Sequence, residues 1–230
     1  MTIPEFSKEL IDNLTENILP YWMEKMVDPR GNLDPDAVKG AILNARILWT
    51  FSAAYRVLGC PEYLETATRA RDYIMEHFID REHGGAFWSV NADGTPCDTK
   101  KQFYAIGFII YGLSEYYRVT SDKESLSLAM ELFHVIERHS RDREKGGYIE
   151  ATTREWEPIA DMRLSDKDAN SSKTMNTHLH IIEGYTALLR VTRDPEVEEA
   201  TRYLLRLFLD KIENPRTHHL TLFFDDDWNK

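Results

Sequence analysis

Residues 102–119 read QFYAIGFIIYGLSEYYRV. Placed on a helical wheel, Phe103, Tyr104, Ile106, Phe108, Ile109, Ile110, Tyr111 and Leu113 leave no polar face. A helix apolar on every side has to be covered on every side. The stretch ends in Arg118-Val119, and the same pair closes two other apolar runs, at Arg56-Val57 and Arg190-Val191, 62 residues earlier and 72 later. Twenty-eight residues beyond each arginine comes a common loop point: Gly84-Gly85, Gly146-Gly147 and His218-His219. The chain is therefore a repeat of a unit that cannot bury its own apolar face and must stack on copies of itself. The ten extra residues between the second and third copies fall in the stretch 152–173.

Each unit reads as a helical hairpin. Helices are expected near 5–27, 36–58, 61–79, 102–119, 122–138, 174–192 and 195–212. Asp34 and Asp194, each followed by proline, supply a capping side chain and a preset first helical residue. Ser121 and Glu124 have the spacing of a capping box. Pro20 is expected to interrupt or kink the first helix, because its ring removes a backbone donor. The helices at 61–79, 122–138 and 195–212 carry a charged face, whereas 102–119 does not and 36–58 nearly does not. That alternation predicts an all-α fold with an inner and an outer layer, an α/α toroid. Short β-hairpins are expected at one rim, from the Gly-Gly loops and the Phe87, Trp88 and Tyr148 that follow them. Six hairpins of this size would need about 400 residues to close a ring. The 230 residues hold about three and a half, so a single partial domain over 1–230, an incomplete α/α toroid, is expected.

Composition narrows the function. With 42% apolar and 11% aromatic residues the chain can bury a core, which excludes disorder. A net charge of −11 without any basic run argues against nucleic acid and against anionic membranes. Cys60 and Cys97 form no metal-ligand spacing and suit a reducing compartment. The first residues do not read as a signal peptide, and the longest apolar run, Phe103 to Leu113, is too short to span a bilayer. A cytoplasmic protein is expected.

Polar groups on the inner helices are the candidates for chemistry. In TMNTHLHIIEGYTALLR, residues 174–190, Asn176, His180 and Glu183 share one face. Polar groups on a buried helix need either partners or a hydrated cavity. The face therefore either lines a central pocket or pairs with neighbouring hairpins. Arg46, among Ile42, Leu43, Ile47, Leu48 and Trp49, needs a carboxylate or a ligand oxygen, and Asp168 or Glu183 would serve as its partner. Tyr104 offers its hydroxyl to the same cavity or to the backbone. His178 points about 200° away from His180 and cannot share a ligand with it. His77, His83, His134 and His139 are expected at the surface. His218-His219 with Asp225-Asp226-Asp227 reads as a solvated acidic loop, so no metal is expected. No phosphate loop, nucleophile elbow or isolated carboxylate pair is present.

Three segments, Asn44–Trp49 (NARILW), Lys173–His180 (KTMNTHLH) and Leu222–Asn229 (LFFDDDWN), resemble the N-acylglucosamine 2-epimerase family, in its cellobiose 2-epimerase branch. The resemblance implies an α/α six-barrel and a cofactor-free epimerisation at C2 of the reducing-end sugar of a β-1,4-disaccharide. It matches Arg46 and His180 to catalytic positions and Tyr104, Asn176 and Asp168 to substrate-binding ones. In that chemistry the sugar ring opens, the C2 proton leaves, and an enediolate is reprotonated on its other face. A guanidinium and an imidazole suit the stabilisation of its oxygens, and an imidazole also suits proton transfer near neutral pH.

The two family histidines that exchange protons with C2 lie in the second half of the barrel, beyond Lys230. The isolated chain is accordingly expected to be inactive, with a disaccharide or monosaccharide as its small-molecule partner and self-association through the open barrel edge. Alternative readings are a non-catalytic sugar-binding or interaction module, an N-acylglucosamine 2-epimerase or mannose isomerase, and a hydrolase or lyase on the same toroid.

Overall fold

In the structure, a computed structural model, residues 2–25, 32 and 34–230 are described, and the chain divides into two units, 1–37 and 38–230. The first unit holds helix α1 (Ile3–Asn13), continued by π-helical turns over Leu14–Ile18 and Tyr21–Lys25. Its start is a capping box in which the Glu5 carboxylate accepts from the Thr2 N–H at 2.7 Å and Thr2 Oγ1 accepts from the Glu5 N–H at 3.4 Å. Pro20 lies between the two widened turns, and the helical path runs through it, so the missing N–H is accommodated by π-helical widening on either side and does not end the helix. Residues 26 and 27 of the expected helix lie outside the described residues.

The second unit contains three hairpins with one plan. A two-residue strand enters an inner helix, an outer helix returns, and a loop leads to a second short strand that pairs antiparallel with the first. The first copy is β1 (Lys39–Gly40), α2 (Ala41–Leu58), α3 (Pro61–Tyr73) and β2 (Ser89–Val90). The second is β3 (Lys101–Gln102), α4 (Phe103–Thr120), α5 (Lys123–His139) and β4 (Ala151–Thr152). The third is β5 (Lys173–Thr174), α6 (Met175–Thr192), α7 (Pro195–Leu207) and β6 (Phe223–Phe224). The extra residues lie between β4 and β5, where the spacing places them.

Helix α4 packs between α2 and α6, with α3, α5 and α7 behind them. Every residue of α4 from Phe103 to Ile110 is buried, as the wheel demands. The inner helices meet backbone to backbone through glycines. A Cβ at Gly184 would lie 2.6 Å from the Gly107 carbonyl oxygen, and one at Gly107 would lie 2.8 Å from that of His180. Gly184→Ala should therefore destabilise the fold by about 1–3 kcal/mol through overpacking, read as a lower urea midpoint. An unchanged midpoint would show that α4 and α6 separate without cost.

Successive copies are fastened by a latch. Lys101, fully buried, donates from Nζ to Asp80 Oδ2 at 2.7 Å and to the Gly84 carbonyl at 2.8 Å in the preceding copy. Lys173 likewise donates to Asp142 Oδ2 of the preceding copy at 2.7 Å, but its second acceptor is the Asp226 carbonyl of its own copy, also at 2.7 Å. Trp156 donates to the His83 carbonyl at 2.9 Å with its ring over Gly85, where a Cβ would sit 2.7 Å from it. Trp228 repeats the contact on Gly147.

Three local expectations are corrected. Asp34-Pro35 makes a turn rather than a helix start, Asp34 Oδ1 accepting from the Asp36 N–H at 3.0 Å, and α2 begins only at Ala41. The antiparallel pairing of Lys39 and Gly40 with Val90 and Ser89 keeps those two residues out of the helix. Ser121 closes α4 in a left-handed conformation (φ 61°), so it cannot cap the next helix, and Asp122 does so by accepting from the Ser125 N–H at 3.1 Å. The Gly-Gly loops carry single bridges, Ile79 to Ala86 and Arg141 to Tyr148, while the two-residue strands pair with the strands before the inner helices. Asp194 and Pro195 cap α7 as expected.

Candidate active site

The ring of Phe108 on α4 organises the site. The Arg46 guanidinium, from α2, lies 4.6 Å from its centroid, and the His180 imidazole, from α6, stacks on it at 4.4 Å. Tyr104, one turn earlier on α4, meets His180 edge-on at 4.6 Å. Residues from three inner helices thus converge on one aromatic ring. Sequence reading treated Phe108 as core alone, although its spacing of one turn from Tyr104 placed both on one face.

His180 Nδ1 lies 2.5 Å from Glu183 Oε2, one turn along α6. A carboxylate at that nitrogen fixes the tautomer with Nδ1 protonated, which leaves the Nε2 lone pair as a proton acceptor. Burial pushes the His180 pKa down, Glu183 pulls it up and Arg46 opposes it, and the net position lies below the ordinary imidazole value. Burial raises the Tyr104 pKa, aided by Glu183 and Asp168 and opposed by Arg46 and the nearby Asn176, so the hydroxyl keeps its proton.

Arg46 is exposed and meets no carboxylate among the described residues, so of the two alternatives the ion pair with Asp168 or Glu183 is not formed. Its guanidinium rests on a π face, which attracts a cation without removing it from solvent. Asp168 stands apart from this group. It is half-buried, accepts from the Ser165 N–H at 3.0 Å and hydroxyl at 2.8 Å, and lines a cavity of about 180 Å³. Asn176, Glu150, Arg163 and Thr174 line that cavity too, and Arg46, Tyr104 and His180 do not. Asn176, which lines the cavity, is also near enough to Tyr104 to draw its pKa down.

His178 diverges from His180 as the helical angle requires. It is fully buried, accepts at Nε2 from the Tyr148 N–H at 2.9 Å, has Nδ1 2.6 Å from the Thr174 carbonyl, and is pushed down to about 4 by burial. His77 and His139, expected at the surface, are half-buried against the rings of Tyr73 and Trp156. Among the described residues no group of three potential metal ligands is present.

The profile of the N-acylglucosamine 2-epimerase (GlcNAc 2-epimerase) family matches residues 22–230. The chain belongs to that family. A Bacteroides fragilis protein named cellobiose 2-epimerase is 57% identical across 96% of this chain and 59% of its own length. The solved cellobiose 2-epimerase from Bacillus thermoamylovorans superposes with a TM-score of 0.93 at 35% identity, over 99% of this chain and 61% of that one. A D-mannose isomerase structure, at 19% identity and a TM-score of 0.80, shares the fold. The chain thus spans about three-fifths of the length of these relatives.

Proposed function

We propose that the chain supplies one part of the active site of a sugar 2-epimerase that acts on the reducing-end glucose of a β-1,4-disaccharide. The observation that carries this reading is the convergence of Arg46, His180 and Tyr104 on the Phe108 ring. An open-chain aldose presents O1 and O2 as one edge. Arg46, cationic and without a carboxylate partner among the described residues, can hold that edge as negative charge develops on the enediolate. The Nε2 lone pair of His180 can accept a sugar hydroxyl proton, and the Tyr104 hydroxyl remains a donor. On this reading the proton exchange at C2 falls to groups that a complementing portion supplies.

Co-expression of the chain with the carboxy-terminal remainder of the Bacteroides fragilis relative tests this. Incubation with cellobiose in deuterium oxide should yield glucosyl-mannose carrying deuterium at C2, with the glycosidic bond intact. Release of free glucose would point to a hydrolase. Binding of cellobiose by the complemented assembly without conversion would favour a non-catalytic sugar-binding module. Either result would overturn the proposal.

A further inference from the structure

We infer that Glu150 is a positioning residue, whose carboxylate holds the first turn of α6 and so aims Asn176 and His180. The inference rests on the epimerase reading for what these residues are aimed at. Glu150 stands just before β4 and is 1% exposed. Its Oε1 accepts from the Thr174 N–H at 2.9 Å and its Oε2 from the Thr177 hydroxyl at 2.7 Å, both at the start of α6. Helix N-termini carry unpaired donors and favour negative charge. The backbone of Glu150 ties two further elements. Its carbonyl accepts from the Phe103 N–H at 3.1 Å, next to Tyr104, and its N–H donates to the Ser172 carbonyl at 3.0 Å, at the end of the loop that carries Asp168. One residue therefore joins the three segments that bear Tyr104, Asp168, and Asn176 with His180.

The repeat shows that the fold does not require a carboxylate here. The equivalent residues are Trp88 and Leu222, whose carbonyls accept from Ala41 and Met175 at 3.1 and 2.9 Å in the same way. Only in the second copy is the side chain acidic, and only there does it reach the helix of the next copy beside the Asp168 cavity. The charged groups that share that cavity are Arg163 and Asp168, both from the inserted loop; α6 contributes Asn176, and β6 with its neighbour contributes Phe223 and Leu222. Burial raises the Glu150 pKa to about 7 against the opposing hydrogen bonds from Thr177 and Thr174, with Asp168 adding to the rise. Acidification through neutrality thus protonates the carboxylate and weakens its hold on α6.

Amide NMR of the 230-residue chain between pH 5 and 9 tests this without any sugar. The Thr174 backbone amide and the Asn176 side-chain amide are expected to shift together with a midpoint near 7. Glu150→Gln should flatten both curves, and Thr177→Val should move the midpoint upward by removing a bond to the charged form. A Thr174 shift with an unmoved Asn176 would reduce Glu150 to a plain helix cap and overturn the inference, as would the absence of any titration. In the assembly complemented by the remainder of the relative, Glu150→Ala should weaken cellobiose binding about tenfold by misaligning the site, with Glu150→Gln recovering part of the loss. Coupled amides without sugar binding by the wild-type assembly would reject the epimerase reading and leave the positioning role supported. Intact sugar binding with uncoupled amides would do the reverse.

Discussion

Replacing Asp80 by alanine is expected to cost the fold about 3–5 kcal/mol, the scale for leaving a buried charge without its partner. Asp80 is 2% exposed and receives Lys101 at 2.7 Å, Arg154 Nε at 2.8 Å and Nη2 at 3.0 Å, and the N–H groups of Glu82 and His83 at 3.1 and 3.2 Å. Without it the fully buried Lys101 ammonium keeps only the Gly84 carbonyl and two aromatic faces, Phe87 at 5.0 Å and Trp156 at 5.4 Å. A whole domain is worth about 5–15 kcal/mol, so the loss is a large share of the total. Urea unfolding would measure it, and a loss below 1 kcal/mol would refute the latch as a determinant of stability. Lys101→Met should be milder, because Asp80 retains Arg154. Adding Asp80→Asn to Lys101→Met should cost less than the sum of the two single losses.

Asp80 also sets a pH dependence. Burial alone would raise its pKa, but the hydrogen bonds from Arg154 and Lys101 outweigh burial and hold the carboxyl well below the usual carboxylate range. A depressed native pKa contributes stability above the unfolded value of about 4 and loses it as the pH falls. The wild-type chain should therefore lose this increment in acid, and Asp80→Ala should flatten that part of the stability profile.

The second large effect is on chemistry. In the complemented assembly, His180→Asn should lower kcat/KM by about 10²–10⁴, the range for one positioned proton-transfer group. Burial places the His180 pKa below the ordinary imidazole value of about 6.5. Its basic form therefore persists through neutrality, and the acid limb of kcat/KM should lie below that value. Glu183→Gln removes the group that pulls this pKa up, so the limb should move further toward acid. Arg46→Met removes the opposing cation, so the limb should move toward neutrality, alongside the loss of oxyanion stabilisation. Movement of both variants in one direction would contradict the arrangement around Phe108, and imidazole nitrogen shifts would follow the same titration directly.

The repeat was legible because it constrains composition at fixed spacing. A bare apolar helix, the recurring Arg-Val and the loop glycines suffice to place three stacked hairpins and the insertion. Helix starts at Asp34 and Ser121 were misread, because strand pairing and a left-handed closing residue are tertiary and local-backbone facts that a capping pattern does not contain. Arg46, Tyr104, Asn176 and His180 stood out as polar groups on helices that otherwise bury their sides. Phe108 and Glu150 did not: an aromatic residue among aromatics carries no signal of its own, and Glu150 lies outside any helix. The latches were invisible for a related reason. Lysine and aspartate in a loop read as solvated until the next copy closes over them.

Those latches have a genetic consequence. The second copy carries both halves of the fastening, Asp142 for the lysine of its successor and Lys101 for the aspartate of its predecessor, with the partners 31 residues apart in one joint and 21 in the other. A duplicated segment of one period would arrive already equipped to dock on either side, so an array of this kind can lengthen without first inventing a new interface.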